Sequence, residues 1–419
     1  MRSAARKFVQ IVSFSLLLSC SSASHSQNTR PAASTRIVIR AARMLDVSTG
    51  KIVNDPVVIV DGERIVSVGT GSAAWKDARV IDLGDSTILP GLIDAHTHIT
   101  YHFDPNGLFG FSADEGAEKN LAASEENARR TVEAGFTTIR NLGDPEGVDI
   151  RLRDLVNKGE AAGPRMIVSG RPLTPDLLGY STKKADRIEL ISRFVKARIQ
   201  EKVDVIKIFE GVDASDQPLL SSDEIRAAVD IAHAAGRKVA VHAHEAPAVI
   251  AAVKGGCDSI EHGSFLNDEA IRLLAKTHVA LVPTLYLPTH YIEHKKQFAF
   301  GPSTWSFFED LRSKNLENVR RARRAGVWVV SGSDAVAGLH GQNAHEIIWL
   351  TKAGMRPDEA IRAATLDAAD LLGLKGQIGD IKEGLFADII AVKGDPLKDI
   401  NALEKVTFVM RSGNVVKSQ

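Results

Sequence analysis

Between residues 87 and 333, short apolar runs alternate with longer stretches whose apolar positions recur at helical spacing. The runs are the Thr87–Ile99 stretch, Phe136–Leu142, Arg165–Gly170, Val203–Phe209, Lys238–Ala243, Asp258–His262, Val279–Leu285 and Val327–Ser333, and each reads as a strand. Thr87-Ile88-Leu89 and Leu92-Ile93 supply the apolar part of the first. In the intervals, Ile188, Ile191, Val195 and Ile199 repeat at three and four, as the buried face of an amphipathic helix requires. Ser221 and Glu224 form a capping box ahead of Ile225, Ala228, Val229 and Ala232. Helices follow the last run over Ala344–Ala353 and, with Pro357 in the first turn, over Asp358–Ala364. Strand–helix alternation predicts an α/β fold with a parallel sheet. Eight such units predict a closed (β/α)8 TIM barrel. The rival open, doubly wound sheet lacks a G-x-G-x-x-G after any early strand.

Both chain ends have a different texture. Arg36–Ile39, Val57–Val60, Arg64–Val68 and Val80–Asp82 read as short strands, with Asp61-Gly62 as a hairpin turn. Ala387–Val392, Val406–Met410 and Val415-Val416 repeat the pattern near the C-terminus. A small composite β-sandwich is therefore expected from residues 36–86 and 375–419, bracketing a barrel over 87–374.

The first residues differ again. Arg2, Arg6 and Lys7 precede the apolar Phe8–Leu18, and Leu17-Leu18-Ser19-Cys20 resembles a bacterial lipobox. Residues 1–20 read as a signal peptide, with Cys20 either lipidated or removed by plain cleavage, and 21–35 as a flexible tether. An exported protein follows, periplasmic or held at the membrane only by that lipid. Elsewhere, 52 basic residues balance 52 acidic ones, which excludes a field favouring nucleic acid or an anionic membrane surface. Cys20 and Cys257 are the only cysteines, so no disulfide framework supports the fold.

Candidate chemistry collects where the strands end, which is where a barrel of this type keeps its active site. His96 and His98 are two apart on the first strand and so share a face. Lys207 interrupts an apolar run in the fourth, His242 and His244 end the fifth, His262 the sixth and Asp334 the eighth. Imidazoles aimed at one point suit Zn, Ni or Fe. A lysine inside a strand needs a nearby anion or a change of charge.

Several segments carry a resemblance. They are Leu89-Pro90-Gly91-Leu92-Ile93-Asp94-Ala95-His96-Thr97-His98, Ala134–Arg140, Asp204–Lys207, Val241–His244, Asp258–Gly263, Gly332–Ala335 and Gly384–Ile389. With these the chain resembles the amidohydrolase superfamily with a binuclear metal centre, in the imidazolonepropionase-related and Xaa-Pro dipeptidase-like branch. The resemblance implies two divalent ions, most often Zn2+. His96, His98 and Asp334 would hold one and His242 and His262 the other. Lys207, carbamylated to N6-carboxylysine, would bridge them. It also implies a metal-bridging hydroxide as nucleophile and Asp334 as the catalytic proton carrier, with His244 facing the substrate. Many relatives carry a Gly-Gly-His loop after the third strand; here Arg171-Pro172-Leu173-Thr174 stands instead.

The expected reaction is hydrolysis of an amide C–N bond in a small molecule, a dipeptide of the Xaa-Pro type or an N-acyl amino acid. A lactonase or organophosphate esterase on the same centre, or an exported solute-binding lipoprotein, are the alternatives. A substrate carboxylate would need a partner at the mouth, for which Arg140, His340 and Tyr286 are the candidates. Oligomeric state is left open, a homo-oligomer included.

Overall fold

Gly91 divides the stretch that the sequence presents as one strand. In the computed structural model, Ser86–Pro90 pairs antiparallel with Ile389–Lys393, whereas Leu92–Thr97 pairs parallel with Phe136–Asn141. A Cβ at Gly91 would stand 2.1 Å from Thr137 Oγ1, so only glycine lets the two sheets meet this closely. The boundary expected at residue 87 therefore falls at Gly91. The structure describes residues 36–71, 78–104, 106–110, 116–144, 146–178 and 183–418. The signal and tether read over 1–35, Cys20 included, lie outside these residues.

The chain ends do join. One four-stranded sheet runs in the order Arg64–Thr70, Pro56–Asp61, Ile37–Arg40, Arg79–Asp82. A six-stranded sheet combines Asn414–Ser418, Val406–Arg411 and Ile389–Lys393 with Ser86–Pro90, Arg43–Asp46 and Lys51–Asn54. Ile39, Val58, Val60, Ile88, Ile389 and Phe408 from the two sheets share one apolar cluster. Arg43–Asp46 and Lys51–Asn54 were not expected, because a four-residue run with charged or polar ends carries little strand signal.

Seven of the eight expected strands of the middle region are present, in two parallel sheets. Arg165–Val168, Phe136–Asn141 and Leu92–Thr97 form one; Val205–Phe209, Lys238–Glu245, Ser259–Phe265 and Ala280–Val282 form the other. Leu173 links them on one side, donating to Lys207 O and accepting from Phe209 N, both at 2.8 Å. On the other side the eighth segment, 327–333, forms no continuous strand. Its backbone bonds both neighbours instead: Leu281 N to Trp328 O at 2.8 Å, and Ala95 N to Ser331 O at 3.1 Å. Ser331 N bonds Ala363 O at 3.1 Å rather than a neighbouring strand, and at Gly332 the approach is close enough that a Cβ would stand 2.9 Å from His96 N; two residues on, Asp334 has φ +53°.

Helices fill the intervals. Lys184–Gln200 buries Ile191 and Val195, and Ser222–Ala234 carries the expected capping box on Ser221. No helix among the described residues is long and apolar enough to cross a membrane. Parallel register then sets the strand ends side by side, with Phe209 opposite His242 and Ala243 opposite His262.

Gly91→Ala should cost about 1–3 kcal/mol through overpacking against Thr137. Thr137→Ala in the same chain should recover part of that. Denaturant midpoints for the two single variants and the double variant test the coupling, and additive losses would mean the two positions do not meet.

Candidate metal centre

Two residues of the centre, and one that hydrogen-bonds it, leave regular backbone geometry at the strand ends. His262, Thr284 and Asp334 have φ of +76°, +48° and +53°, in the left-handed region that costs a non-glycine residue of the order of 1–2 kcal/mol. The strain has a visible use. His96 Nε2 and His98 Nε2 lie 3.4 and 3.2 Å from Asp334 Oδ1, and His262 Nδ1 lies 3.9 Å from Asp334 Oδ2. Rings of His242, His244 and His262 stand 4.5–4.7 Å apart, centroid to centroid. Lys207 lines the same cavity as His98, His242, His262 and Asp334, so all the residues expected to bind metal are gathered in one place.

Charge and burial determine what these groups can do. Burial pushes His96 and His244 down to about 4, and His242 and His262 well below the ordinary imidazole range, so their lone pairs are free at neutral pH. Burial opposes ionisation of Asp334 too, but His96 and His98 outweigh it and hold the carboxyl well below the usual range. Glu261 is fully buried. There Arg140, and the bond from His96, overcome burial and hold the carboxyl at about 2. His96 Nδ1 therefore donates to Glu261 Oε2 at 2.8 Å, and its Nε2 is left as a ligand atom.

Ligand-type atoms form two groups, each within 4.8 Å: His242, His244 and His262; and His96, His262 and Asp334. His96 Nε2, Asp334 Oδ1 and Lys207 Nζ are buried without a hydrogen-bond partner. Buried polar atoms are ordinarily satisfied, so three such orphans in one cluster fit a site built around divalent cations. The donor set of imidazole and carboxylate suits zinc. His244, expected toward the substrate, stands as near to His262 as His242 does.

Lys207 is 1% exposed, and burial lowers its ammonium to about 8 against the opposing pull of Glu261 and Asp334. An amine that sheds its proton this readily can react with CO₂. Carbamylation would turn this buried cation into an anionic oxygen donor.

Arg140 is a correction. It lies inside the parallel-strand unit rather than at the mouth, 1% exposed, and donates to Ala95 O at 2.6 Å, Ser259 Oγ at 3.0 Å and Glu261 Oε1 at 2.9 Å. As the fifth of six residues in Phe136–Asn141 it stands near the strand end, which is why the sequence points it to the mouth; the buried Glu261 draws its guanidinium inward instead. Tyr286 and His340 are corrected as well, since neither lines the cavity. The Tyr286 hydroxyl donates to Glu293 at 3.2 Å, and His340 Nε2 donates to Tyr101 O at 3.2 Å. His244 does line the cavity, with Nδ1 3.0 Å from Ser264 Oγ.

Two supporting residues were missed. Asp94 Oδ1 accepts from His96 N at 3.1 Å and Ser333 N at 2.9 Å, and Oδ2 accepts from Asn343 Nδ2 at 2.7 Å and from Ser333 Oγ. Period two places Asp94 on the face of His96, a signal available in the sequence. Glu261, beside His262, gave none, because its partner Arg140 is distant along the chain.

The amidohydrolase family profile matches residues 87–416. The chain is 26% identical to the ochratoxinase of Aspergillus niger, with 91% of this chain and 87% of that protein covered. It is 26% identical to the imidazolonepropionase of Symbiobacterium thermophilum, over 84% of this chain and 86% of that one. Among solved structures, a Xaa-Pro dipeptidase with methionine bound in its active site superposes with a TM-score of 0.82 at 31% identity. The match covers 91% of this chain and 99% of the dipeptidase.

Glu261→Gln keeps an acceptor for His96 but removes the charge. Metal affinity should fall about 10–100-fold, the usual effect of losing such a partner. Competition with a chelating dye measures it, and unchanged affinity would remove Glu261 from the support of the site.

Proposed function

The chain belongs to the amidohydrolase family, and from that premise we propose that it is a binuclear, metal-dependent hydrolase of amide C–N bonds in small molecules. The observation that carries the reading is the convergence of His96, Asp334 and Lys207, each with a buried unsatisfied atom, beside His98, His242 and His262. We assign His96, His98 and Asp334 to one ion, His242 and His262 to the second, and carbamylated Lys207 to both, with zinc as the ion the donors suit. The eight strand segments close, in this reading, as a (β/α)8 barrel beside a composite β-sandwich. The Leu173 bonds and the bonds of the 327–333 segment support that closure.

When bound, the ions would supply a water acidic enough to attack at neutral pH and a polarised carbonyl. The chain's own residues do the rest. Asp334, kept ionised by His96 and His98, can take the proton of the attacking water and deliver it to the departing nitrogen. Hydrolysis adds water across the C–N bond and gives a carboxylic acid and an amine. Phe209, Tyr101 and Val336 border the same cavity and limit bulk water there.

The dipeptidase and ochratoxinase likenesses support the amide class. Arg140 was the expected partner for a substrate carboxylate, and its burial against Glu261 withdraws that support for a dipeptide or N-acyl amino acid. Export through the N-terminal signal remains part of the proposal. Mature protein should partition with membranes if Cys20 is acylated, and Cys20→Ser should release it or block processing; finding uncleaved protein in the cytoplasm would end that part.

Purified protein should carry close to two divalent ions per chain by elemental analysis. Lys207→Ala should lose one or both together with activity, and a short carboxylic acid should restore part of each. Asp334→Asn should lower kcat by about 10²–10⁴-fold, the range for a lost proton carrier. Full activity in either variant would overturn its assigned role.

A further inference from the structure

The cavity opening on the metal cluster has a volume of about 380 Å³, enough for a small organic molecule. Its wall away from the histidines comes from the segment between the seventh and eighth strand positions. Leu287 and Tyr291 lie on Leu287–Glu293, and Phe307, Phe308 and Leu311 on Pro302–Arg324. Phe307, Leu311 and Asn315 recur every four residues and so share one face of that helix. Phe307 also packs edge-on against His244, with centroids 5.3 Å apart. The wall is therefore aromatic and aliphatic up to the ligand cluster.

Among the described residues, Lys207 is the only Lys or Arg lining this cavity. The lysine is already assigned to the metal ions. Lys314, on the same helix, is exposed and paired with Asp310 at 2.8 Å. Hydroxyls line the cavity at Tyr101, Tyr291, Ser264 and Thr284. A neutral hydroxyl does not offset the lost hydration of a carboxylate as a guanidinium fork does.

Asn315 adds a positive criterion. It is 3% exposed, its Nδ2 donates to Pro283 O at 3.2 Å, and its Oδ1 has no partner. Reversing the amide would set Oδ1 against the Pro283 carbonyl, two acceptors face to face, so the donor end is committed. What remains is a pure acceptor, buried without a partner in a side chain that borders the cavity. An acceptor repels a carboxylate and recruits an N–H. The scissile bond of a Xaa-Pro dipeptide has no N–H to give. Such a dipeptide would also bring an ammonium and a carboxylate into an apolar chamber.

Resting on the amide-hydrolase reading above, we propose that this site selects neutral secondary amides bearing an aromatic or bulky aliphatic group over dipeptides and N-acyl amino acids, and that Asn315 positions them by accepting the amide N–H. Water adds to the carbonyl carbon, the C–N bond breaks, and an apolar acid and an apolar amine leave.

The zinc-loaded full-length enzyme tests this with matched substrates. They are N-benzyl phenylacetamide and its N-methyl derivative, phenylacetyl-phenylalanine and its carboxamide, and Met-Pro. The carboxamide should exceed the free acid by about a hundredfold in kcat/KM, the scale of an uncompensated buried charge. N-methylation should lower kcat/KM by about tenfold, the scale of one hydrogen bond. Asn315→Leu should erase that second difference while leaving the acid-to-carboxamide ratio in place. Both ratios are read on the unaltered enzyme, so they stand even if the variant does not fold. Faster cleavage of the acid or of Met-Pro would overturn the selectivity and leave the hydrolase reading intact. Equal rates for the N–H and N-methyl amides would overturn the role of Asn315. Turnover of none of the five by enzyme holding two ions would overturn both readings.

Discussion

The Asp94 carboxylate is the constraint from which the site follows. The eighth segment has no continuous ladder to hold it, yet it must deliver Asp334 to within 3.2–3.4 Å of His96 and His98. Asp94 makes the connection by accepting from His96 N on its own strand and from Ser333 and Asn343 across the gap. Each such bond to an ionised group contributes about 1.5–3 kcal/mol, comparable to the strain at one left-handed residue. The Asp94 bonds thereby support the unfavourable backbone at Asp334. Burial raises the Asp94 carboxyl to about 6, so the same bonds also keep the anion in place at neutral pH.

Beneath the ligands a second charged group repeats this logic. Arg140, Glu261 and His96 form a chain in which every charge is matched inside an apolar shell of strands. Removing one member would strand another, which makes the network a structural necessity rather than a surface convenience. It also explains why a cation with a promising place in the sequence takes no part at the mouth.

The scaffold and the selectivity come from different parts of the chain. The histidines and the lysine of the candidate metal centre stand on or just after the parallel strands, where ladder bonds set their spacing, and Asp94 positions Asp334 beside them. The outer wall stands on two helices inserted after Ala280–Val282, held together by aromatic packing such as Tyr291 on Phe308 at 4.6 Å. Asn315 ties the two parts together, since its anchor, Pro283 O, precedes the Thr284 that bonds His262. A change in that wall could alter which amide is accepted without disturbing the ions.

Local patterns were enough to locate the strand–helix alternation, the β texture of both ends, the Ser221 capping box and the shared face of His96 and His98, because each depends on short-range spacing. His96 and His98 share a face by the period of a strand, and a capping box is complete within four residues. The break at Gly91 was hidden, since the Thr137 side chain that demands it lies far along the chain. The eighth segment read as a strand because its apolar run is ordinary; that Ser331 N bonds Ala363 O instead of a neighbouring strand is visible only in three dimensions. The direction of Arg140 and the committed amide of Asn315 likewise depended on Glu261 and Pro283, partners remote in sequence. Period and capping are properties of neighbours and survive in a one-dimensional reading. The matching of a buried charge or a buried amide depends on which distant groups share its enclosure, and only the tertiary structure decides that.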